Sequence, residues 1–234
     1  MAGGESMRCG ICLAAALASA TAALSAPASA DDAADPRWSG FYAGVYAGYD
    51  WYETETGDYY GYDHGLDGVS AGFQAGYDHQ FRNGIVAGLI GSAGWSDASG
   101  GRLTVDNVGG FNLLTRTGST IKAHGSLRGR LGYAAGAFLP YVTGGLAWAR
   151  QDVEYYREFG LGFTANVRQT SDRLGWVVGA GVEYALTDSI ALKGEYLYAD
   201  LGTDTYPSVL LGPAVDGKIA LESRRLALGV NYRF

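Results

Sequence analysis

The chain has 234 residues, with 24 acidic against 17 basic side chains, a formal net charge of −7, 37 glycines, 17 tyrosines, 5 prolines and 2 cysteines. The acidic balance argues against a nucleic acid partner, and abundant glycine and aromatics with little proline fit neither collagen nor a disordered linker. Cys9 and Cys12 both precede the folded region, so the remainder of the chain is cysteine-free and closes no disulfide.

Residues 1–30 read as a secretory signal peptide. Arg8 precedes an apolar stretch from Ile11 to Leu24, and Ala28-Ser29-Ala30 supplies small residues for cleavage. A membrane anchor fits less well, because the run is rich in Ala, Ser and Thr and is interrupted by Pro27. Met7 is an alternative start. Residues 31–37 then form a short N-terminal segment and residues 38–234 one domain.

From Trp38 onward, residues alternate with period 2, which predicts strands. In the first, Phe41, Ala43, Val45, Ala47, Tyr49 and Trp51 share one face, opposite Tyr42, Gly44, Tyr46, Gly48 and Asp50. The second sets Ala71, Phe73, Ala75, Tyr77 and Phe81 against Ser70, Gly72, Gln74, Gly76, Asp78 and Gln80. A third runs from Ile85 to about Ser96, after the turn dipeptide Asn83-Gly84. The fourth runs from about Ile121 to Ala134, with Ile121, Ala123, Leu127, Leu131 and Tyr133 facing away from Lys122, His124, Ser126, Arg128 and Arg130. Further strands are expected at Phe138–Arg150, Leu174–Leu186 and Ile190–Asp200, and an eighth ends the chain.

The connections alternate in length. Those near Asn83, Ala135 and Asp188 are short, whereas Tyr52–Asp67, Asp97–Thr120, Gln151–Arg173 and Leu201–Lys218 are long. In antiparallel order this puts short turns at one end and long loops at the other. That is the layout of an all-β, eight-stranded antiparallel transmembrane β-barrel with short periplasmic turns and four long extracellular loops.

The apolar face carries two aromatic rings of residues. Phe41, Phe81, Tyr133, Phe138, Tyr184 and Phe234 gather at the turn end, and Tyr49, Trp51, Trp95, Trp148, Trp176 and Tyr198 at the loop end. Aliphatics such as Val45, Leu89, Leu127, Val142 and Leu228 lie between, the order expected of a face that meets a bilayer. The other face collects Arg128, Arg130, Glu183, Lys193, Glu195 and Arg225 beside inward glycines. A barrel of this size has a lumen only wide enough for side chains. Arg128, Arg130 and Lys193 are therefore expected to pair with Glu183 and Glu195 as a structural network, since a buried unpaired ion costs several kcal/mol.

Several stretches carry a family resemblance: "WSGFYAGVYAGY", "GFQAGYDHQ", "LRGRLGYA", "LPYVTGGLAWA", "GWVVGAGVEYALTDSIALKGEYLYADLG" and the terminal "GVNYRF". Together they resemble the OmpA-like outer-membrane β-barrels of alphaproteobacteria, the "porin family" or RopB-type surface proteins. The resemblance implies an integral protein of the cell outer membrane that is often antigenic. It also implies that Tyr232 and Phe234 form the terminal signal read by the barrel assembly machinery. The third strand departs from the family, with Ile90 and Ser92 where relatives often carry acidic residues.

A structural and surface-interaction role is the first functional expectation, with outer-membrane lipids, lipopolysaccharide and an unknown extracellular partner as contacts. A candidate loop contact is formed by Tyr59, Tyr60, Tyr62, Asp63 and His64, an acidic, tyrosine-rich stretch without the spacing of a calcium loop. Some relatives are associated with haemin, for which His64 and its tyrosines are the available ligands. A narrow passive pore and a lipid-A-modifying enzyme are the alternatives. No nucleophile, base and acid share an evident height, so no catalytic residue, metal site or cofactor is expected.

Overall fold

In a computed structural model, residues 37–56, 64–108, 110–159, 163–206 and 217–234 are described. They form nine strands in chain order: β1 Gly40–Thr56, β2 His64–Gln80, β3 Ile85–Ser96, β4 Ser99–Val108, β5 Phe111–Tyr133, β6 Phe138–Phe159, β7 Phe163–Ala185, β8 Ile190–Tyr206 and β9 Gly217–Arg233. Strands β3 and β4 both pair with β5, one after the other, so they act as a single stave broken at Asp97-Ala98. All pairings are antiparallel between neighbouring staves, and β1 pairs with both β2 and β9. The result is a closed eight-stranded antiparallel barrel.

Closure runs along most of both strands, from Tyr42 opposite Arg233 to Thr56 opposite Ile219. Phe234 adds one more bond, its N–H donating to the Phe41 carbonyl at 3.0 Å. The turn end is built from short local devices. The Phe81 N–H donates to the Ile85 carbonyl at 2.7 Å around Asn83 and Gly84, the latter at φ +80° where a side chain would be strained. The Thr187 hydroxyl accepts from the Ser189 and Ile190 amides at 3.3 and 3.0 Å.

The long connections contain more strand than their sequence suggests. Residues in 97–120 form β4 and the upper part of β5, and residues in 151–173 form the upper halves of β6 and β7. These segments lack a continuous apolar outer face because above the hydrocarbon that face meets hydrated head groups and water. The ladder continues there on backbone bonds and on polar side-chain pairs between neighbouring strands.

One register expectation is corrected. A bulge on β5 between Ile121 and Ala123 inserts one residue opposite β6. Above it the two faces exchange. Ile121, expected outside, is fully buried in the lumen, and Lys122, expected inside, is exposed on the outer surface.

The aromatic sets and the aliphatics between them lie on the outer surface, with Phe41, Leu89, Leu127 and Leu228 more than half exposed. The lumen is filled in layers. At the turn end Trp38, Val86, Leu139, Ala185 and Ala191 pack together. At the loop end Tyr52, Leu66, Ile121, Val177, Leu197 and Leu221 belong to a second apolar cluster. Charged groups occupy the space between.

The seam between β1 and β9 is tight. A Cβ on Gly44 would strike the Val230 carbonyl oxygen and the Asn231 side chain, and the carbonyl is backbone that cannot turn aside. Gly44→Val is expected to cut the folded, heat-resistant fraction several-fold in a gel-shift assay. Normal yield would show that the seam has slack.

Candidate functional site

Alternation on β1, β2, β5, β7, β8 and β9 sends one side chain in two inward, and the barrel brings these residues to shared heights. Arg130 on β5 donates to both carboxylate oxygens of Asp78 on β2, and through Nη1 to Glu183 Oε1 on β7 at 2.6 Å. Arg233 on β9 donates through Nη2 to Asp78 at 3.0 Å and Glu183 at 3.3 Å, and through Nη1 to the Trp38 carbonyl at 2.9 Å. Two guanidinium groups thus share two carboxylates, and Asn231 adds a bond of 3.1 Å to Glu183. All five side chains are nearly or fully buried.

The guanidinium planes are stacked as well as paired. Arg130 lies 4.8 Å from the Tyr42 ring centre and 5.1 Å from that of Tyr141. Arg233 lies 4.9 Å from Trp38 and 5.1 Å from Tyr42. The order Trp38, Arg233, Tyr42, Arg130, Tyr141 makes a column of alternating rings and cations. Arg130 and Arg233 each meet π-faces where they lack an oxygen.

A second group continues upward. Arg128 pairs with Glu195 at 2.9 Å, and Lys193 reaches the other oxygen of Glu195 at 3.1 Å. The Tyr141 hydroxyl donates to Glu195 at 2.9 Å. Lys193 also donates to Gln74 at 2.5 Å, and Gln74 donates to Asn231 at 2.6 Å, which joins the two groups. Higher still, Arg225 pairs with Asp50, and the Tyr46 hydroxyl bonds His124 Nε2 at 2.8 Å.

The structure therefore places Arg128, Arg130, Glu183, Lys193, Glu195 and Arg225 together in the lumen. Sequence reasoning missed Asp78, Asp50 and Arg233 as their partners. Their inward parity was visible, but partner choice depends on strand stagger, which alternation alone does not supply. The inward glycines leave space beside these chains. Tyrosines take part of that space, with the Tyr46 hydroxyl over Gly72 and Gly94, Tyr42 over Gly76, and Tyr141 over Gly181.

The match to known proteins agrees with this architecture. Residues 14–234 fit the family model described as "Outer membrane protein beta-barrel domain". The chain belongs to this outer-membrane β-barrel family. It is similar to the 31 kDa outer-membrane immunogenic protein of Brucella melitensis, at 35% identity over 172 residues, covering 71% of this chain and 67% of that one. It is also similar to a 22 kDa outer membrane protein of Rhizobium leguminosarum, at 35% identity over 150 residues, covering 62% and 60%. Among solved structures, OprG of Pseudomonas aeruginosa aligns with a TM-score of 0.46 and 14% identity, covering 86% of this chain and 99% of that one.

As a member of this family the protein is integral to the cell outer membrane, and its network lies inside a wall that faces lipid. Tyr232 and Phe234 stand outside that network. Both point outward at the end of β9, their rings in edge contact at 5.1 Å. The loop contact suggested for Tyr59, Tyr60, Tyr62 and Asp63 lies outside the described residues. The backbone of His64 opens β2 opposite Thr54.

Removing Arg130 leaves Asp78 and Glu183 to share Arg233. Arg130→Met is expected to lower unfolding stability by about 3–5 kcal/mol, measured by denaturant titration in lipid vesicles. A loss below about 1 kcal/mol would mean that the pair behaves as a solvated one.

Proposed function

We propose that the protein is a structural and surface-display element of the outer membrane, whose barrel supports the envelope and presents its upper connections to the outside. The observation that carries this reading is the filled lumen. Apolar layers close both ends of the charged column, and the cavities among the lumen residues measure about 40 Å³ beside His124 and about 10 Å³ beside Arg128. Volumes of this size hold a few waters at most and favour a closed interior over a water-filled path among the described residues. What the barrel offers to other molecules is then its outer wall and its exposed end.

The same interior disfavours the pore and the enzyme. The Tyr46 hydroxyl and His124 Nε2 form a buried pair, and Ser126 is engaged with Ser92 at 2.8 Å.

Tyr232 and Phe234 are proposed as the signal for assembly. Phe234 is 79% exposed, so contacts within the barrel do not by themselves account for its aromatic ring. Deleting Phe234 is expected to lower the amount of assembled barrel in cells, with little change in the unfolding midpoint of what does assemble. Equal assembly, read as the heat-modifiable fraction on a gel, would remove the signal role.

The main reading is tested by loss of the gene and by conductance. Cells lacking the protein are expected to become more sensitive to detergent and EDTA, and to recover with a copy whose upper connections are shortened. The purified barrel in planar bilayers is expected to give no steady single-channel steps. Regular steps from the pure protein would replace display with transport.

A further inference from the structure

The bulge at Ile121 has a second consequence, on the outer surface. It turns Lys122 outward beside Asp152 of β6 and Arg168 of β7, both also on the outer face. Asp152 binds all its neighbours at once. Its Oδ2 takes Lys122 at 2.7 Å and Arg168 at 3.2 Å, and its Oδ1 accepts from the Thr170 hydroxyl at 2.8 Å. The Lys122 bond, with that of Thr170 next in weight, holds the Asp152 carboxyl down at about 2, so the clamp stays ionised wherever the cell surface is near neutral. Arg168 also approaches Glu154 at 3.5 Å.

The cations keep capacity to spare. An ammonium has three donors and a guanidinium five, and Asp152 and Glu154 occupy only some of them. Arg116 of β5 is exposed on the same face and makes no ion pair among the described residues. Three cations, Arg116, Lys122 and Arg168, thus stand against two carboxylates. They line an open recess of about 630 Å³, hollowed where the outward positions Gly101 and Gly118 carry no side chain. Leu103, 60% exposed and paired with Arg116 across the β4–β5 ladder, gives the recess an apolar wall.

Height decides what can reach it. Asp152 lies four residues beyond Trp148 of the upper aromatic ring, as Ser99 does beyond Trp95. Four residues span about 13 Å along a strand, or about 10 Å along the axis of a barrel with strands tilted by about 40°. The recess therefore sits in the head-group layer of the outer leaflet, and it opens sideways toward lipid. Cations at this level face an anionic glycolipid surface, and charged donors give strong bonds to phosphate oxygens.

We infer that this recess binds a phosphate on the head group of an outer-leaflet glycolipid, the lipopolysaccharide class, through Arg116, Lys122 and Arg168. Asp152 is the positioning residue that holds two of these cations in place. The inference rests on the outer-membrane location and is independent of the display role.

The test uses the folded barrel in detergent, titrated with bisphosphorylated lipid A and followed by native mass spectrometry. The combined variant Arg116→Gln, Lys122→Gln, Arg168→Gln is expected to weaken the complex by about tenfold or more. Arg224→Gln, which breaks an outer-face pair with Glu53 elsewhere on the barrel, is expected to leave it unchanged. Dephosphorylated lipid A is expected to bind wild type as poorly as it binds the combined variant. Millimolar inorganic phosphate is expected not to displace lipid A. Undiminished binding by the combined variant would overturn the proposal, as would equal binding of dephosphorylated lipid A or full displacement by free phosphate. A heat-modifiability gel checks folding. If the combined variant does not fold, Arg116→Gln alone serves, since it breaks no ion pair among the described residues, and it is expected to weaken binding severalfold. Envelope sensitivity and conductance are read separately, so failure here is distinct from failure of the display role.

Discussion

Every backbone N–H and C=O inside a bilayer must find a partner within the protein, because hydrocarbon offers none. For a sheet this leaves closure as the only solution. The rest of the structure depends on the seam in which β1 meets β9 from Tyr42–Arg233 to Thr56–Ile219. The seam explains the order at the end of the chain. It also sets the strand number, and the strand number sets the width of the lumen.

A lumen this narrow cannot hold bulk water, so its contents must satisfy one another. Charged residues are costly there unless each finds several partners. The column of Trp38, Arg233, Tyr42, Arg130 and Tyr141 meets this requirement in two directions. Carboxylates of Asp78 and Glu183 meet the guanidinium edges, and aromatic rings meet their faces. Apolar clusters then cap the column at both ends and raise the cost of separating any pair. Under the proposed reading, such an interior serves as a strut and leaves recognition to the outer wall and the exposed end.

The wall is divided by height. Aliphatics and aromatic rings mark the hydrocarbon and its two edges, and above the upper ring the same outward parity delivers charge. The β5 bulge is what moves Lys122 into that register. One inserted residue exchanges the two faces, which buries Ile121 and places a cation among Asp152 and Arg168. A local irregularity thus adds a residue to the upper lumen cluster and shapes the outer surface together.

Alternation by itself determined which residues face lipid, which face inward, how many staves there are and which end has the short turns. The reason is that the bilayer imposes a period-2 contrast on every spanning residue. It was silent above the hydrocarbon, where the outer face meets hydrated head groups and water, so β4 and the upper parts of β5, β6 and β7 looked like loops. It could not see the bulge, because inserting one residue leaves the local composition unchanged. It named the inward charges Arg128, Arg130, Glu183, Lys193, Glu195 and Arg225 but not the partners Asp78, Asp50 and Arg233. Those pairings depend on the stagger between strands far apart in the chain, and only the closed barrel sets that stagger.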